Sequence, residues 1–120
     1  MTRYAHITGW GMAVPEAILT NADLEKMVET SNEWIVTRSG IRERRIARDG
    51  ESTSDMAGVA ARRALEDARI EPGELDLIIV GTVTPDMPFP NTACFIQNAI
   101  GARKAACFDV EAACSGFLYS

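Results

Sequence analysis

The sequence predicts an α/β layered fold, with a mixed or parallel sheet flanked by helices, as one domain over residues 1–120. The run LDLIIVGTV (residues 75–83) is almost wholly apolar, which is typical of a strand covered on both faces in a parallel sheet. Helical and extended patterns also alternate along the chain, in the order strand, helices, strand, helix, strand, helix, strand. This alternation is the pattern of a layered α/β protein.

The N-terminal part predicts a strand followed by a helix. Residues 3–15 (RYAHITGWGMAVP) alternate loosely between apolar and polar and end in a proline, which predicts the first strand. Thr20 and Asp23 have the spacing of a capping box, so a helix is expected to begin there. Its apolar residues would share one helical face: Leu24, Met27 and Val28.

A second short helix and a strand are predicted next. Thr30 and Glu33 repeat the capping-box spacing, and Gly40 suits the left-handed residue that ends many helices. The following segment IRERRIA (41–47) alternates charged and apolar side chains. It is therefore interpreted as an edge or surface strand.

The longest helix is predicted from Ser52 to about Arg69, because Ser52 and Asp55 form a capping box and residues 71–73 (EPG) stop the pattern. Small apolar residues fall on one side, and charged residues on the other, at 100° per residue. The apolar side consists of Met56, Ala57, Ala60, Ala61, Ala64, Leu65 and Ala68. A proline-rich loop, a helix near residues 91–100 that Gly101 ends, and a buried strand KAACFDV (104–110) complete the order.

Composition limits the classes of partner. The chain carries 17 acidic and 12 basic residues, a net charge of −5, which argues against general binding to nucleic acid. No apolar stretch reaches membrane-spanning length, and the N-terminal residues lack the pattern of a signal peptide. Three cysteines without a Cys-x-x-Cys pair argue against a zinc site or a disulfide framework, so we expect a cytoplasmic protein with free thiols.

One segment runs against the acidic average. Between Arg38 and Arg48 the chain has five arginines and a single acid, Glu43. Such a patch suits a small anionic ligand or an acidic partner. Taken singly, most of these arginines are explained equally well as the solvated edge of a strand.

The segment FDVEAACSGFLYS (108–120) places Cys114 where a buried strand turns into a helix. A helix N-terminus favours the thiolate form of a cysteine, and its free N–H groups can stabilise an oxyanion on a thioester carbonyl. From the residues alone two interpretations remain: an inert packed thiol or a nucleophile. Cys94 and Cys107 lie inside a helix and a strand, and are expected to be inert.

The wider pattern resembles a known family. The segments TNADLEKMVETSNEWIVTRSGIRERRIA, PNTACFIQNAIGA and FDVEAACSGF are similar to the β-ketoacyl-acyl-carrier-protein synthase III family of the thiolase superfamily. The resemblance runs from about Tyr4 to Ser120 and implies the N-terminal part of a thiolase-like layered fold. Because the last helix has only begun at Ser120, we expect a chain truncated shortly after the nucleophile.

The resemblance also implies roles for single residues. Cys114 matches the acyl-accepting nucleophile, while Thr30, Trp34 and Arg38 match residues that hold the nucleotide of coenzyme A. Phe89 matches a residue that reaches across a homodimer to line the partner's acyl pocket. The family completes its site with a His and an Asn that would lie beyond position 120.

Some of these roles agree with the residues themselves. Trp34 and Arg38 are spaced i, i+4, so on a helix they project from one face, where an indole and a guanidinium suit adenine and phosphate. The only histidine, His6, matches nothing in the family's motif. No metal or redox cofactor is implied, since acyl-CoA is a substrate.

The implied activity is the start of type II fatty-acid synthesis, by condensing a short acyl-CoA with malonyl-acyl-carrier protein. The implied setting is cytoplasmic, without nucleic-acid or membrane partners, and the fragment alone is expected to be inactive. Two alternatives remain open. One is a related enzyme of specialised, polyketide-type metabolism that loads another acyl starter. The other is a catalytically dead module used for dimerisation.

Overall fold

A computed structural model describes residues 4–120, which form two compact units. One unit comprises the described residues up to Ala13 together with Ser52–Ser120. The other is Val14–Glu51. Each carries its own pair of strands, and each holds part of the predicted site.

The unit Val14–Glu51 contains a two-stranded antiparallel sheet and two short helices. The strands pair with Ala17 opposite Ile46 and Thr20 opposite Glu43, which confirms the strand predicted within residues 41–47. The elements are β1 (Ala17–Thr20), α1 (Asn21–Leu24), α2 (Asn32–Ser39) and β2 (Glu43–Ile46).

The first capping box is confirmed, but its helix is shorter than predicted. The Thr20 side chain accepts a hydrogen bond from the Asp23 backbone N–H, and the Asp23 carboxylate accepts one from the Thr20 backbone N–H. The α-helix ends at Leu24, and residues 25–27 continue as a turn. Met27 and Val28 stay 68% and 57% exposed, so the predicted apolar face does not form.

The cap of α2 differs by one residue from the prediction. Ser31, not Thr30, is the N-cap, and its hydroxyl accepts a hydrogen bond from the Trp34 backbone N–H at 3.1 Å. The two neighbouring hydroxyl residues were both suitable, and only Ser31 lies one position before the first helical residue, as the N-cap does. Gly40 ends the helix in the left-handed conformation with φ +73°, as predicted.

The other unit has a parallel pair of strands covered by two helices. Leu77 pairs with Ala106, and Gly81 pairs with Val110 at the carboxyl end. The elements are α3 (Thr53–Ala68), β3 (Leu77–Gly81), α4 (Thr92–Ile100), β4 (Ala106–Val110) and α5 (Gly116–Tyr119). The core lies where α3 and α4 meet this sheet, with buried Ile96, Ile100, Ala102 and Ala105 packed against Ala57, Ala61, Leu65, Ile78 and Val80.

Helix α3 follows the prediction closely. Ser52 and Asp55 form the capping box, and Arg69 ends the helix in a left-handed conformation. The small side chains partly bury against the core, while the charged residues of the other side are exposed: Arg62, Arg63, Glu66, Asp67 and Arg69. Buried Gly58 faces α4, where an added Cβ would lie 3.8 Å from the Ala99 Cβ.

The expectation that β3 is covered on both faces is wrong for the described residues. Ile78 and Val80 face the helices and pack against the core. Leu77 lies on the opposite face and is 46% exposed, and Phe108 of β4 on the same face is 43% exposed. The apolar run therefore reflects a strand with one packed face and one open apolar face within residues 4–120.

The predicted first strand is also wrong in its described part. Residues 4–13 form no strand and instead run along α3. A Cβ on Gly9 would lie 2.6 Å from the Ala68 backbone nitrogen, and one on Gly11 would lie 2.2 Å from the Ala60 carbonyl oxygen. The glycines that interrupt the strand pattern thus allow direct backbone contact with a helix. Arg3, the first residue of the predicted strand, lies outside the described residues.

Candidate active site

Cys114 lies in a tight turn at the carboxyl end of β4. The parallel ladder continues to Val110, whose carbonyl accepts a hydrogen bond from the Thr82 N–H at 3.2 Å. The chain then enters a 3₁₀ turn at Ala113–Ser115, with Ala113 in the left-handed region at φ +45°. Cys114 is exposed at the centre of this turn. The strand-to-helix turn predicted from the sequence is therefore present, and it presents the thiol to solvent.

The turn is held by the helix that follows it. Gly116, the first residue of α5, is buried, and a Cβ built on it would lie 3.5 Å from the Gly81 Cα. The Ser115 N–H donates to the Ala112 carbonyl at 2.9 Å, which closes the turn around the cysteine. The sulfur of Cys114 is thus placed by backbone contacts at the ends of two parallel strands.

Cys94 and Cys107 lie inside α4 and β4, as predicted, and both are half-buried. Their sulfur atoms are 3.5 Å apart, and the Cys94 thiol donates to the Asn91 Oδ1 at 2.9 Å. Burial, followed by the hydrogen bond and charge of Cys94 and the charge of Asp109, raises the pKa of Cys107 above its ordinary value of 9.0. A raised pKa keeps this sulfur in the unreactive thiol form.

Phe89 lies in the loop between β3 and α4 and is 86% exposed. The loop is tied to both neighbouring helices. The Asp86 N–H donates to the Thr92 hydroxyl at 3.1 Å, and the Asp86 carboxylate accepts from the Ser54 N–H at 2.9 Å. An aromatic side chain on an anchored loop is suited to contact another surface, and its role in an acyl pocket stays a prediction.

The residues predicted to hold coenzyme A lie in the unit Val14–Glu51. Arg38 lies over the indole of Trp34, with its guanidinium carbon 5.8 Å from the ring centroid. Trp34 remains 60% exposed, so its aromatic surface is available for stacking. Two shallow concavities share Ser31 and Trp34 in their linings, one with Thr30 and the other with Arg38. The structure therefore brings the three predicted residues to one surface, while Cys114 belongs to the other unit.

The basic patch is smaller than the sequence implies. Arg44 donates to the Leu19 carbonyl at 3.1 Å, Arg45 donates to the Pro15 carbonyl at 3.2 Å, and Arg48 pairs with Glu16. These three arginines hold the antiparallel strands and the chain around them. Arg38, by contrast, lies against Trp34 at the surface, where it can meet an anion.

The chain is similar in sequence and fold to synthase III proteins. No protein-family model matches the chain. The β-ketoacyl-[acyl-carrier-protein] synthase III of Roseiflexus sp. (strain RS-1) is 62% identical over 119 residues, which are 99% of this chain and 36% of that protein. The crystal structure of 3-oxoacyl-[acyl-carrier-protein] synthase III from Aquifex aeolicus VF5 superposes with a TM-score of 0.89 at 53% identity, covering 94% of this chain and 36% of that one. The resemblance to the synthase III family is confirmed.

Another solved structure similar to this chain is named for a polyketide pathway. The priming β-ketosynthase of the R1128 polyketide biosynthetic pathway superposes with a TM-score of 0.91 at 38% identity, covering 98% of this chain and 35% of that one. The chain thus spans about a third of the length of the synthases that it matches. The thiolase-like layered fold predicted from the sequence is also confirmed by these neighbours.

Two further polar residues, Asn21 and Asp109, have structural roles that no local sequence pattern predicts. Asn21 is buried and joins three segments of its unit, as described below. Asp109 accepts hydrogen bonds from the backbone N–H groups of Thr92 and Ala93 at 2.7 and 2.8 Å, so it caps α4 from the neighbouring strand. Neither has a local sequence signal, because the partners are 11 or more residues away. The only indication in the sequence was a polar side chain inside a predicted helix, for Asn21, or inside a predicted buried strand, for Asp109.

The remaining expectations concern other site types. His6 is exposed in the N-terminal segment, outside any helix or strand. Residues 4–120 contain no cluster of three or more side chains suited to a metal ion. Over the same residues, no helix has the length and apolar character needed to cross a membrane.

Proposed function

We propose that this chain forms part of a condensing enzyme that starts type II fatty-acid synthesis by a Cys acyl-enzyme mechanism. The observation that carries the proposal is the exposed Cys114 at a strand-to-helix turn, in a chain 62% identical to a β-ketoacyl-[acyl-carrier-protein] synthase III. The substrates would be a short acyl-CoA, such as acetyl-CoA, and malonyl-acyl-carrier protein. The product would be a 3-ketoacyl-carrier protein.

In the first half-reaction, the Cys114 thiolate attacks the carbonyl carbon of acyl-CoA. A new carbon–sulfur bond forms, the carbonyl oxygen takes the negative charge, and the CoA thiolate leaves when the carbonyl is restored. The exposed position of Cys114 allows the thioester to approach. The Ser115 and Gly116 N–H groups donate to carbonyls within the turn, so the Cys114 backbone N–H is assigned as a donor to the transient oxyanion.

In the second half-reaction, malonyl-carrier protein loses CO₂, and the electron pair of the broken bond becomes an enolate. The enolate carbon attacks the acyl carbonyl on Cys114, and the sulfur leaves as a thiolate. Stabilising the enolate is assigned to the His and Asn that the family resemblance implies beyond position 120. The atoms balance without a metal or redox cofactor, and the proposal includes none.

Binding of the CoA nucleotide is assigned to Thr30, Trp34 and Arg38. The exposed indole offers a face for adenine, and the guanidinium beside it offers charged donors for phosphate. Phe89 is assigned to the acyl pocket of the partner subunit in a homodimer, which its exposure on an anchored loop supports. A cytoplasmic location fits these soluble substrates and belongs to the same proposal.

The test uses the full-length protein that contains this chain. Incubation with radiolabelled acetyl-CoA should leave label on the peptide that contains Cys114, and adding malonyl-carrier protein should transfer the label to a 3-ketoacyl product. Cys114→Ser should lose both steps, because a hydroxyl of much higher pKa does not ionise there. Label on another residue, or full activity of Cys114→Ser, would contradict the proposal. Absence of any condensation would favour a dimerisation module.

A second function is supported by the polyketide priming synthase that superposes with a TM-score of 0.91. A synthase of that kind would load a different acyl starter onto Cys114 while using the same chemistry. Profiling the first half-reaction with a series of acyl-CoA thioesters separates the two. A preference for acetyl-CoA supports fatty-acid initiation, and a preference for longer or branched starters supports the specialised enzyme.

A further inference from the structure

Asn21 forms a buried polar link within the unit Val14–Glu51. Only 1% of the residue is exposed. Its amide nitrogen donates to the side-chain oxygen of Asn32 and to the backbone carbonyl of Ile41, both at 2.9 Å. Its amide oxygen accepts from the Arg44 guanidinium at 2.8 Å. Both N–H donors and the carbonyl oxygen of the amide are therefore hydrogen-bonded, which holds it in one orientation.

The two acceptors lie at opposite ends of α2. Asn32 is the first residue of the helix, and Ile41 follows Gly40, which ends it. One amide group thus clamps both ends of the eight-residue helix that carries Trp34 and Arg38.

Within residues 4–120, helix α2 has no apolar face buried in a core. None of its residues is buried, and Ile35 and Val36 are only half-buried. A surface helix is normally fixed by an apolar face in a core, and short helices are unstable by themselves. Besides the clamp, its start is held by the Glu25 carboxylate, which accepts from the Asn32 N–H at 2.6 Å. Within residues 4–120, the contacts that hold the two ends of this helix are therefore polar.

We propose that Asn21 is a positioning residue for CoA binding, which acts by holding α2 so that Trp34 and Arg38 keep their places. This inference rests on the proposed function, because it takes these two residues as the nucleotide site. Asn21 itself is buried and touches no substrate. Its loss should weaken binding of the nucleotide and leave the chemistry at Cys114 intact.

Two variants of the full-length protein test the inference, with CoA alone as the probe. Asn21→Leu removes all the clamp bonds and keeps the number and branching of the side-chain heavy atoms, and Asn32→Ala removes one bond at an exposed position. Asn32→Ala should raise the dissociation constant of CoA about fivefold, and Asn21→Leu should raise it about tenfold or more, since each lost bond has a modest effect. Calorimetric titration measures both values.

Kinetics separate positioning from general damage. KM for acyl-CoA in the acylation of Cys114 should rise with the dissociation constant, while the saturating acylation rate stays within about twofold. Labelling of Cys114 by iodoacetamide should proceed at the parent rate. Lys26→Ala, which breaks the exposed pair with Asp23 in the same unit, is the matched control and should change none of these values.

Trp34→Ala, measured in parallel, distinguishes a wrong nucleotide site from a wrong positioning role for Asn21. If Trp34→Ala leaves CoA binding unchanged, the nucleotide site is wrong and the positioning role falls with it. If Trp34→Ala weakens binding and folded Asn32→Ala does not, the positioning role alone is overturned. Should Asn21→Leu fail to fold, Asn32→Ala decides. A fall in the saturating acylation rate with unchanged KM would also overturn the inference.

Discussion

Gly81 and Gly116 lie with their backbones in contact at the end of β3. A Cβ on Gly81 would stand 3.1 Å from the Gly116 carbonyl carbon and 3.2 Å from its carbonyl oxygen. Such distances are shorter than ordinary van der Waals contact. Two of the three nearest atoms are backbone, and the third is the Ser120 hydroxyl oxygen at 3.1 Å. Cys114 lies only two residues before Gly116, so this contact sets how far the turn that carries the sulfur lies from the end of β3.

Gly81→Ala should therefore slow acylation of Cys114. The added methyl group must push α5 and the turn away from β3, and small displacements of reacting groups have large effects on rate. We expect the acylation rate of the full-length protein to fall about tenfold, with little change in CoA binding. Pre-steady-state acylation by acetyl-CoA measures the rate.

Gly73→Ala is the matched control for this substitution. Gly73 lies in a 3₁₀ turn at Pro72–Glu74, and no atom lies within 4 Å of a Cβ built there. It should acylate at the parent rate. If Gly81→Ala does so too, the contact with Gly116 does not position the nucleophile.

The three cysteines should differ in reactivity. Cys114 is exposed, whereas Cys94 and Cys107 are half-buried with their sulfur atoms 3.5 Å apart. Iodoacetamide near neutral pH should label Cys114 first, and acyl-CoA should protect it by acylating the same sulfur. Because burial raises the pKa of Cys107 above 9.0, its labelling should begin only in more alkaline solution.

Peptide mapping by mass spectrometry across a pH series gives the order of labelling. In the Cys114→Ser variant, the neutral-pH label should disappear and the alkaline label on Cys107 should remain. Labelling of Cys94 or Cys107 before Cys114 would show that the nucleophile is assigned to the wrong residue.

Trp34→Ala should weaken CoA binding without affecting the small reagent. Stacking of a base on an aromatic side chain contributes about 1–3 kcal/mol, so the dissociation constant should rise roughly tenfold or more. Arg38→Ala should weaken CoA more than it weakens dephospho-CoA, if the guanidinium binds the 3′-phosphate. Calorimetry with both ligands measures this, and equal losses would place Arg38 away from that phosphate.

Acid should weaken the N-terminal cap of α1 only at an unusually low pH, when Asp23 becomes protonated. Hydrogen bonds from Thr20, and then from Lys26, lower the pKa of Asp23 from 3.8 to about 2. A lowered carboxyl pKa in the folded state contributes stability above pH 3.8, and this contribution is lost as the pH falls through about 2. The melting temperature of Asp23→Asn should lie below that of the parent at neutral pH, and the difference should shrink over this window.

Carbon-13 detection of the Asp23 carboxyl group provides the direct measurement. Thr20→Val removes the hydroxyl group that donates to the Asp23 carboxylate, and should move the pKa of Asp23 toward its ordinary value. A parent protein in which Asp23 already titrates near 3.8 would argue against the capping box in solution.

Asp109→Ala should destabilise the unit that carries Cys114. The substitution leaves the N–H groups of Thr92 and Ala93 without acceptors, and both residues are fully buried. A buried unsatisfied donor costs about 1–3 kcal/mol, so the free energy of unfolding should fall by at least about 2 kcal/mol. Urea unfolding measures it. Glu111→Ala, at an exposed position two residues further on, should have almost no effect.

Much of the fold could be predicted from local sequence. Caps and ends involve residues a few positions apart, so Ser52 with Asp55, Gly40 and Gly101 all occupy their predicted places. The turn at Cys114 followed from a buried strand that runs into small residues. Such features depend on a short stretch of chain, and periodicity and turn chemistry describe them well.

The rest depends on contacts between distant segments. Gly9 and Gly11 interrupt a pattern that otherwise predicts a strand, and only the nearby α3 explains them. The links of Asn21 span 11, 20 and 23 positions and obey no period. The close approach of the free Cys94 and Cys107 sulfur atoms likewise requires α4 to lie on β4. These relationships arise from packing, which a single sequence does not display.

The absence of a buried residue in α2 has a consequence for variation of the protein. Under the proposed function, substitutions on the face that carries Trp34 and Arg38 should alter nucleotide recognition without opening a cavity or crowding a core within residues 4–120. Ligand preference at this helix can therefore drift, or be redesigned, at little cost in folding, provided that the amide of Asn21 is kept. The hydrogen bonds of Asn21 hold the helix in place, and the exposed side chains of the helix are free to vary.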